Sequence, residues 1–393
     1  VIARSEIDVA EALARIDAGD DELQAWTFVD RAAMKAPQID GPLAGVPFGV
    51  KDVIEVAGMP IAFGVRREPR VSELDAWCVA ALRAAGAVPI GKTHTTAYAH
   101  RDPAPTYNPL DRARTPGGSS AGSAAAVGAG QVPFTIGTQT IGSVLRPAAY
   151  CGVVGFKPTH GRVATPGVVA QAPSLDHVGV IAADVAIARR VARCWIPELG
   201  EAGIVTPRLA LAETVWDERY APETRAAVRR SVEALQSAGI TIEPRAVPPE
   251  VAIGLEDAHI VNAYEAYAAL APLLATELPP ELRAMIERGA TMPRDAYLVA
   301  LARREAARPR IEAFLAGHDA VIVPCGDAAP SRLSTGDGSP FGPWTLFGTP
   351  AIAIPIPGTA PAALSLQLVA PQGSDGRLLA AAAHVEATLS PSR

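Results

Sequence analysis

Acidic residues are missing from the part of this chain that is richest in glycine and serine. From Arg112 to Leu175 there is no Asp or Glu, where an average stretch of that length would hold about seven. Such a segment has no local carboxylate to orient a catalytic histidine. Its cations include Arg146 and Lys157, which favour the neutral form of a neighbouring lysine. Aromatic residues make up 5% and charged residues 19%, against 49% apolar, which is the composition of a compact folded chain and excludes a disordered one. Clustered Lys and Arg are absent and the net charge is −6, so a general nucleic-acid binder, which must neutralise phosphates, is excluded. Cys78, Cys151, Cys194 and Cys325 stand far apart without CxxC or Cys/His spacing, which argues against a metal site and for reduced thiols in the core. No apolar run reaches the roughly 18 residues of a membrane span. The start, VIARSEIDVAEALARIDAG, is amphipathic and acidic rather than a secretory leader. A cytoplasmic location is therefore expected, although the first residue, Val1, leaves a removed leader open.

What is present begins with an α/β pattern. Ser5 followed by apolar residues at helical spacing through Ile16 predicts a capped helix, and Ser72 to Ala85 a second. LAGVPFGVKDVIEV (43 to 56) and AVPIGKTH (87 to 94) read as strands. Residues 213 to 318 read as largely helical and charged. Strands return at AVIVP (320 to 324), AIAIPIP (351 to 357) and LSLQLVA (363 to 369), before a last helix near Gly376 to Leu389. The closing strands resume the first pattern, so they are expected to complete the first sheet. The expected organisation is one domain over residues 1–393. Its parts are a catalytic core at about 41–200, a mainly helical covering region at about 208–318, and closing strands with a last helix at 319–393.

Two clusters carry the chemistry, Gly117-Gly118-Ser119-Ser120 and Gly137-Thr138-Gln139-Thr140-Ile141-Gly142-Ser143. Each sets a hydroxyl beside glycine, which turns tightly and lets a substrate approach main-chain N–H groups, as stabilising an oxyanion requires. The interleaved runs VPFTI, SVL and CGVVGF read as buried strands rather than linker. Gly118 to Gly122 also fits GxSxG, which would make Ser120 a nucleophile with Asp176 and His177, or Glu256 and His259, as partners. Its context is poor, because TYNPLDRARTPG precedes it instead of a strand. Lys51 is a lone ammonium in the apolar run VPFGVKDVIEV. It is either an edge lysine or a buried one, and burial lowers a lysine pKa until it serves as a general base. A fall from about 10.4 to about 8 corresponds to roughly 3 kcal/mol.

GVKDV around Lys51, GGSS at 117 to 120, GS at 142 to 143 and CGVVGFKPTHGRV at 151 to 163 together resemble the amidase signature family of serine hydrolases. The resemblance runs from about residue 41 to 190 and returns weakly around 320 to 357. It implies an α/β fold with a mixed central β-sheet covered by helices on both faces. It also implies a Ser-Ser-Lys triad, with Ser143 as nucleophile, Ser119 as the bridging serine on a cis peptide after Gly118, and Lys51 as base. By the same resemblance the N–H groups of Thr140, Ile141, Gly142 and Ser143 form the oxyanion hole, and neither metal nor organic cofactor is needed. This chain departs from the family pattern at Gln139, where an acid is usual, and at Ile141, where the first of two glycines usually stands. At Leu145 the family commonly has arginine, and here Arg146 follows instead. The departures resemble one branch of the family and bear on the shape of the acyl pocket.

Candidate substrate contacts are Gly118, Gln139, Arg146, Phe341 and Trp344. Arg146 either binds a substrate carboxylate in bidentate fashion or makes a structural ion pair. Phe341, Trp344 and Phe347 close the loop 326 to 350, where they either touch an apolar substrate group or, one helical turn apart at Trp344 and Phe347, pack in the core. A lysine base leaves His94, His100, His160 and His177 structural roles. The expected activity is hydrolysis of the C–N bond of a linear carboxylic amide in a small molecule, with carbamates (urethanes) and esters open to the same machinery. No nucleic-acid or membrane partner is expected, and a homodimer is compatible with the reading. The alternatives are the amidase subunit of a tRNA-dependent amidotransferase, usually a longer chain, and a non-catalytic binding protein that keeps the fold.

Overall fold

The computed structural model describes residues 7–37, 39–65, 68–199, 206–213 and 219–390. Strands whose every residue is buried explain the architecture. In Ala320–Pro324, Ala320 and Ile322 enter one hydrophobic cluster while Val321 and Val323 enter another. Ile352 and Ile354 alternate with Ala351 and Ala353 in the same way. A sheet that is apolar on both faces must be covered on both.

In chain order the strands are β1 (Trp26–Val29), β2 (Pro47–Lys51), β3 (Pro60–Ile61), β4 (Arg70–Val71), β5 (Val88–Thr93), β6 (Phe134–Gln139), β7 (Val154–Lys157), β8 (His177–Ala182), β9 (Arg208–Glu213), β10 (Thr241–Ala246), β11 (Ala320–Pro324), β12 (Ala351–Pro355) and β13 (Ser365–Val369). The helices are α1 (Val9–Leu23), α2 (Trp77–Ala84), α3 (Ala121–Gly128), α4 (Leu145–Tyr150), α5 (Val185–Trp195), α6 (Pro222–Ser237), α7 (Pro249–Leu270), α8 (Pro280–Thr291), α9 (Arg294–Leu315), α10 (Gly342–Leu346) and α11 (Asp375–Leu389). Eleven strands form one mixed sheet in the order β1-β5-β2-β6-β8-β7-β12-β13-β11-β9-β10, and β3 pairs only with β4. Helices α2, α5, α6 and α11 pack on one face, while α1, α3, α4, α7, α9 and α10 contribute to the clusters on the other. This is the expected α/β class, and the closing strands do join the first sheet through the β7–β12 ladder.

Several expected elements change. Strands β9 and β10 lie inside the stretch read as helical, because β10 is an edge strand whose Glu243, Pro244 and Arg245 hide the strand pattern, and an edge is where proline is tolerated. SVL at 143 to 145 is not a strand but the turn into α4. The long run after Pro279 is two helices, broken at Met292 and Pro293. Asp8, not Ser5, caps α1 by accepting from the Glu11 N–H at 2.8 Å; Ser5 lies outside the described residues. The described cysteines are all free, and no described helix is long and apolar enough to cross a membrane.

Parallel strands β5, β2 and β6 end together, and in open α/β sheets that end is where ligands bind. Helix α3 packs against this region. Its residues, AGSAAAVG, are small and every one is buried. A Cβ on Gly122 would stand 2.2 Å from the Ala25 carbonyl oxygen and 2.5 Å from the His94 nitrogen. Gly122→Val is therefore expected to destabilise the fold by about 2 kcal/mol or more in urea denaturation; a change within about half a kcal/mol would show that the helix does not sit this close.

Candidate active site

Lys51 is the last residue of β2, whose Phe48 and Val50 enter the cluster on the opposite face. Strand alternation turns Lys51 toward the side of the sheet that carries α3. Its ammonium nitrogen is fully buried and lies 2.6 Å from Ser119 Oγ, 2.7 Å from Thr138 Oγ1 and 3.3 Å from the Thr138 carbonyl oxygen. None of these partners is a carboxylate. Burial drives the Lys51 pKa well below the ordinary lysine range; the Asp176 carboxylate opposes the fall and the Arg146 cation adds to it.

Ser119 is buried, follows a cis peptide bond from Gly118, and accepts at its carbonyl from the Thr96 N–H at 3.2 Å. Arg146 grips the preceding carbonyl, donating to Gly118 O from Nε at 3.1 Å and from Nη2 at 2.7 Å, and donates from Nη1 to Gly336 O at 2.8 Å. The guanidinium thus holds backbone carbonyls rather than an acid, which corrects the ion-pair reading, and Arg146 also lines the cavity described below. Ser120 is buried at the start of α3 and donates to Thr138 O at 3.4 Å. His177 is occupied by Leu175 O at 2.6 Å and by Lys157 Nζ at 3.3 Å, and Asp176 accepts from Thr140 Oγ1 at 2.6 Å. The GxSxG elbow is overturned: Ser120 has no histidine partner among the described residues, and no strand runs into the motif.

After β6 the chain makes a turn through Thr140 to Ser143 before α4. Three of its carbonyls are taken: Ile141 O accepts from Thr345 Oγ1 at 2.7 Å, Gly142 O from the Arg146 N–H at 2.9 Å, and Ser143 O from the Ser120 N–H at 3.4 Å. Its four N–H groups, from Thr140 to Ser143, have no protein acceptor among the described residues. Because the C=O of one residue and the N–H of the next point in opposite directions, holding Ile141 O and Gly142 O turns the Gly142 and Ser143 N–H groups the other way. Gly142 is required by close approach, since a Cβ there would stand 2.7 Å from the Phe341 ring. Gln139 is fully buried; its Oε1 accepts from the Val144 and Leu145 N–H groups at 3.0 and 3.1 Å, and its Nε2 donates to Thr345 Oγ1 at 3.0 Å. One neutral amide therefore caps α4 and fixes the hydroxyl that holds Ile141.

Ser143 opens onto a cavity of about 590 Å³ whose floor includes Thr140, Ile141 and Arg146 and whose far wall includes His259 of α7 and Met285 of α8. Gly118, Gln139, Phe341 and Trp344 do not line it. Phe341 lies beneath Gly142, and Trp344 stacks on Phe314 at 6.3 Å between ring centroids in the hydrophobic core. Core packing decides against both aromatics as substrate contacts. His94 and His100 are held neutral by burial, with pKa values pushed down to about 4 and about 3, and burial also holds His177 well below its ordinary value.

Two further lysines are as buried as Lys51. Lys92 faces Asp52 at 3.2 Å. Lys157 donates to Thr349 O and Pro158 O, and burial lowers its pKa to about 7. Sequence reasoning could have found Lys92, which stands in an apolar strand as Lys51 does. The carboxylate of Asp176 and the hydroxyls of Thr138 and Thr345 left no sequence signal. No group of three or more metal-ligating side chains occurs among the described residues.

The Amidase family profile matches residues 8–379. The chain belongs to the amidase family. A glutamyl-tRNA(Gln) amidotransferase subunit of Exiguobacterium sp. is 37% identical over 295 residues, 67% of this chain and 61% of that relative. Its counterpart in Anaeromyxobacter sp. is 46% identical over 210 residues, 49% of this chain and 42% of that relative. The match thus spans roughly half the length of these curated relatives. Among solved structures, an amidase superposes with a TM-score of 0.88 at 30% identity, covering 97% of this chain and 95% of that one. A peptide amidase from Stenotrophomonas maltophilia superposes with a TM-score of 0.83 at 25% identity, covering 98% and 94%.

In this amidase-family chain, Gln139→Leu would leave two α4 N–H groups and the Thr345 hydroxyl without their partner. A loss of about 2 kcal/mol or more is expected, read as a lowered urea midpoint; an unchanged midpoint would mean that water or a shifted side chain replaces the amide.

Proposed function

We propose that the protein hydrolyses the C–N bond of a linear carboxylic amide through Lys51, Ser119 and Ser143. The observation that carries this reading is the fully buried Lys51 nitrogen, 2.6 Å from Ser119 Oγ and hydrogen-bonded to no carboxylate. A neutral amine has two N–H groups and one lone pair. Thr138 offers two acceptors, its carbonyl and its hydroxyl oxygen, which leaves the lone pair for the Ser119 hydroxyl. Lys51 then takes the Ser119 proton as Ser119 takes that of Ser143. Ser143 Oγ bonds to the substrate carbonyl carbon, and the C=O electron pair moves onto oxygen, where the N–H groups of Thr140, Ile141, Gly142 and Ser143 stabilise it. Collapse expels the amine, which receives a proton from the Lys51 ammonium by way of Ser119. Water repeats the sequence on the acyl-enzyme, releasing the carboxylic acid and restoring Ser143.

Carbamates and esters present the same carbonyl with a different leaving group, so a panel of aryl amides, aliphatic amides, amic acids, carbamates and esters assigns the substrate class. The names of the curated relatives favour a second reading, the amidase subunit of a tRNA-dependent amidotransferase. Hydrolysis of small amides by the isolated protein, without partner subunits or tRNA, decides for the first reading. Continuity of the eleven-stranded sheet from β1 at one edge to β10 at the other supports one domain.

A fluorophosphonate is expected to label Ser143, and Ser143→Ala should abolish turnover with the fold intact; retained activity would falsify the nucleophile assignment. Lys51→Ala should lower the rate by several orders of magnitude, and a loss under tenfold would assign the base elsewhere. Only the neutral amine accepts a proton, so kcat/KM should rise with pH as Lys51 deprotonates. Because burial depresses its pKa, that rise should fall well below the ordinary lysine range, with activity maintained into mild alkali. An optimum confined to acid contradicts the assignment.

A further inference from the structure

Asp176 is the first acid after the acid-free stretch, and it ends the turn that leads into β8. Both of its oxygens are held. One accepts from Thr140 Oγ1 at 2.6 Å, and the other from the Gln171 and Ala172 N–H groups at 2.8 and 2.9 Å. Thr140 opens the turn whose N–H groups face the cavity. It also lies on the wall between that cavity and a second one of about 410 Å³, which Thr138 and Asp176 line. Thr138 holds Lys51. Thr138, Thr140 and Asp176 line that second cavity, so the carboxylate gripping Thr140 and the threonine holding Lys51 border one space.

We propose that Asp176 is a positioning residue of this site: it anchors the first residue of the proposed oxyanion turn and supplies the negative charge that offsets the ammonium formed on Lys51 during proton transfer. The inference rests on the reading of Lys51 as base. Carboxylate and amine are linked electrostatically, each through space rather than by a direct hydrogen bond. The charged groups around the pair are Arg146 from α4 and Glu265 from α7, the latter held by the Ser174 N–H and Tyr297 Oη at 2.9 Å each. Around the second cavity stand His160 and His177, both kept neutral by burial, with Lys157 behind His177. Burial raises the Asp176 pKa to about 6 against its three hydrogen bonds, with Glu265 adding to the rise. The carboxylate is therefore charged at neutral pH, where it supports the protonated form of Lys51, and that support fades as pH falls through about 6.

Asp176→Asn keeps the shape and removes the charge. The acid limb of kcat/KM against pH is expected to move down by about one unit, with kcat at the plateau lowered about tenfold or more. Thr140→Val breaks the anchor and leaves the carboxylate in place, so kcat at the alkaline plateau, where Asp176 is charged, should fall, and Thr140→Ser should restore it. A limb unmoved in Asp176→Asn overturns the electrostatic role, and an unchanged kcat in Thr140→Val overturns the anchoring role. If Asp176→Asn does not fold by circular dichroism, the two Thr140 variants decide the anchoring role, and Asp176→Ser, which also removes the charge, decides the electrostatic one by the same shift of the acid limb. Failure of the underlying reading is separate: it shows as activity retained in Ser143→Ala or a loss under tenfold in Lys51→Ala.

Discussion

A primary amine taken wholly out of water is the constraint around which this site is arranged. Burial disfavours the ammonium, and a carboxylate in direct contact would restore it. The three fully buried lysines show what partner chemistry does with the same burial. Lys92 meets Asp52 and forms an ion pair; Lys157 meets main-chain carbonyls. Lys51 meets a serine hydroxyl and both oxygens of one threonine. Lys157 also meets His177 Nε2 at 3.3 Å, and of the three only Lys51 meets a hydroxyl, the partner that the proposed proton transfer requires. The acid-free stretch from Arg112 to Leu175 follows from this. Its helices α3 and α4 and the turn between β6 and α4 pack around that amine, where a stray carboxylate would charge it.

The turn from Thr140 to Ser143 answers a second demand, that several N–H groups point the same way with no acceptor of their own. Such a conformation costs hydrogen bonds unless each carbonyl is held from behind. Here Thr345, the α4 backbone and the Ser120 N–H hold them, and Gln139 and Arg146 brace the same region. Gln139 stands where the family usually has an acid, and it works as a neutral cap that both accepts and donates. That leaves Asp176, one step further from Lys51, as the carboxylate tied to this turn.

Much of this was legible in the sequence because its signals are local. A lone lysine in an apolar strand, paired glycines beside serines, and five-residue β-branched runs all follow from short-range rules, and β2, β5, β6, β11, β12 and β13 stand close to where those rules put them. The misreadings arose where long-range contacts decide. GxSxG at Ser120 satisfies a pattern but not its context, and its hydroxyl is buried against Thr138. The helical spacing of Trp344 and Phe347 pointed to the core, and the cluster they join bears that out, against Trp344 as a substrate contact. Arg146 has no nearby acid in sequence because its partners are carbonyls. Strand β10 carries charge and proline because it has a neighbour on one side only.

The division of labour within the cavity follows from the same topology. Its floor is made by strand ends and the turn after β6, elements fixed on both faces by buried clusters. Its far wall comes from α7 and α8, in the helical region between β10 and β11, where His259, Met285 and Arg288 reach the space above Ser143 without holding any part of the turn. The helices thus border the space above Ser143, while the sheet and the turn hold the groups beside it.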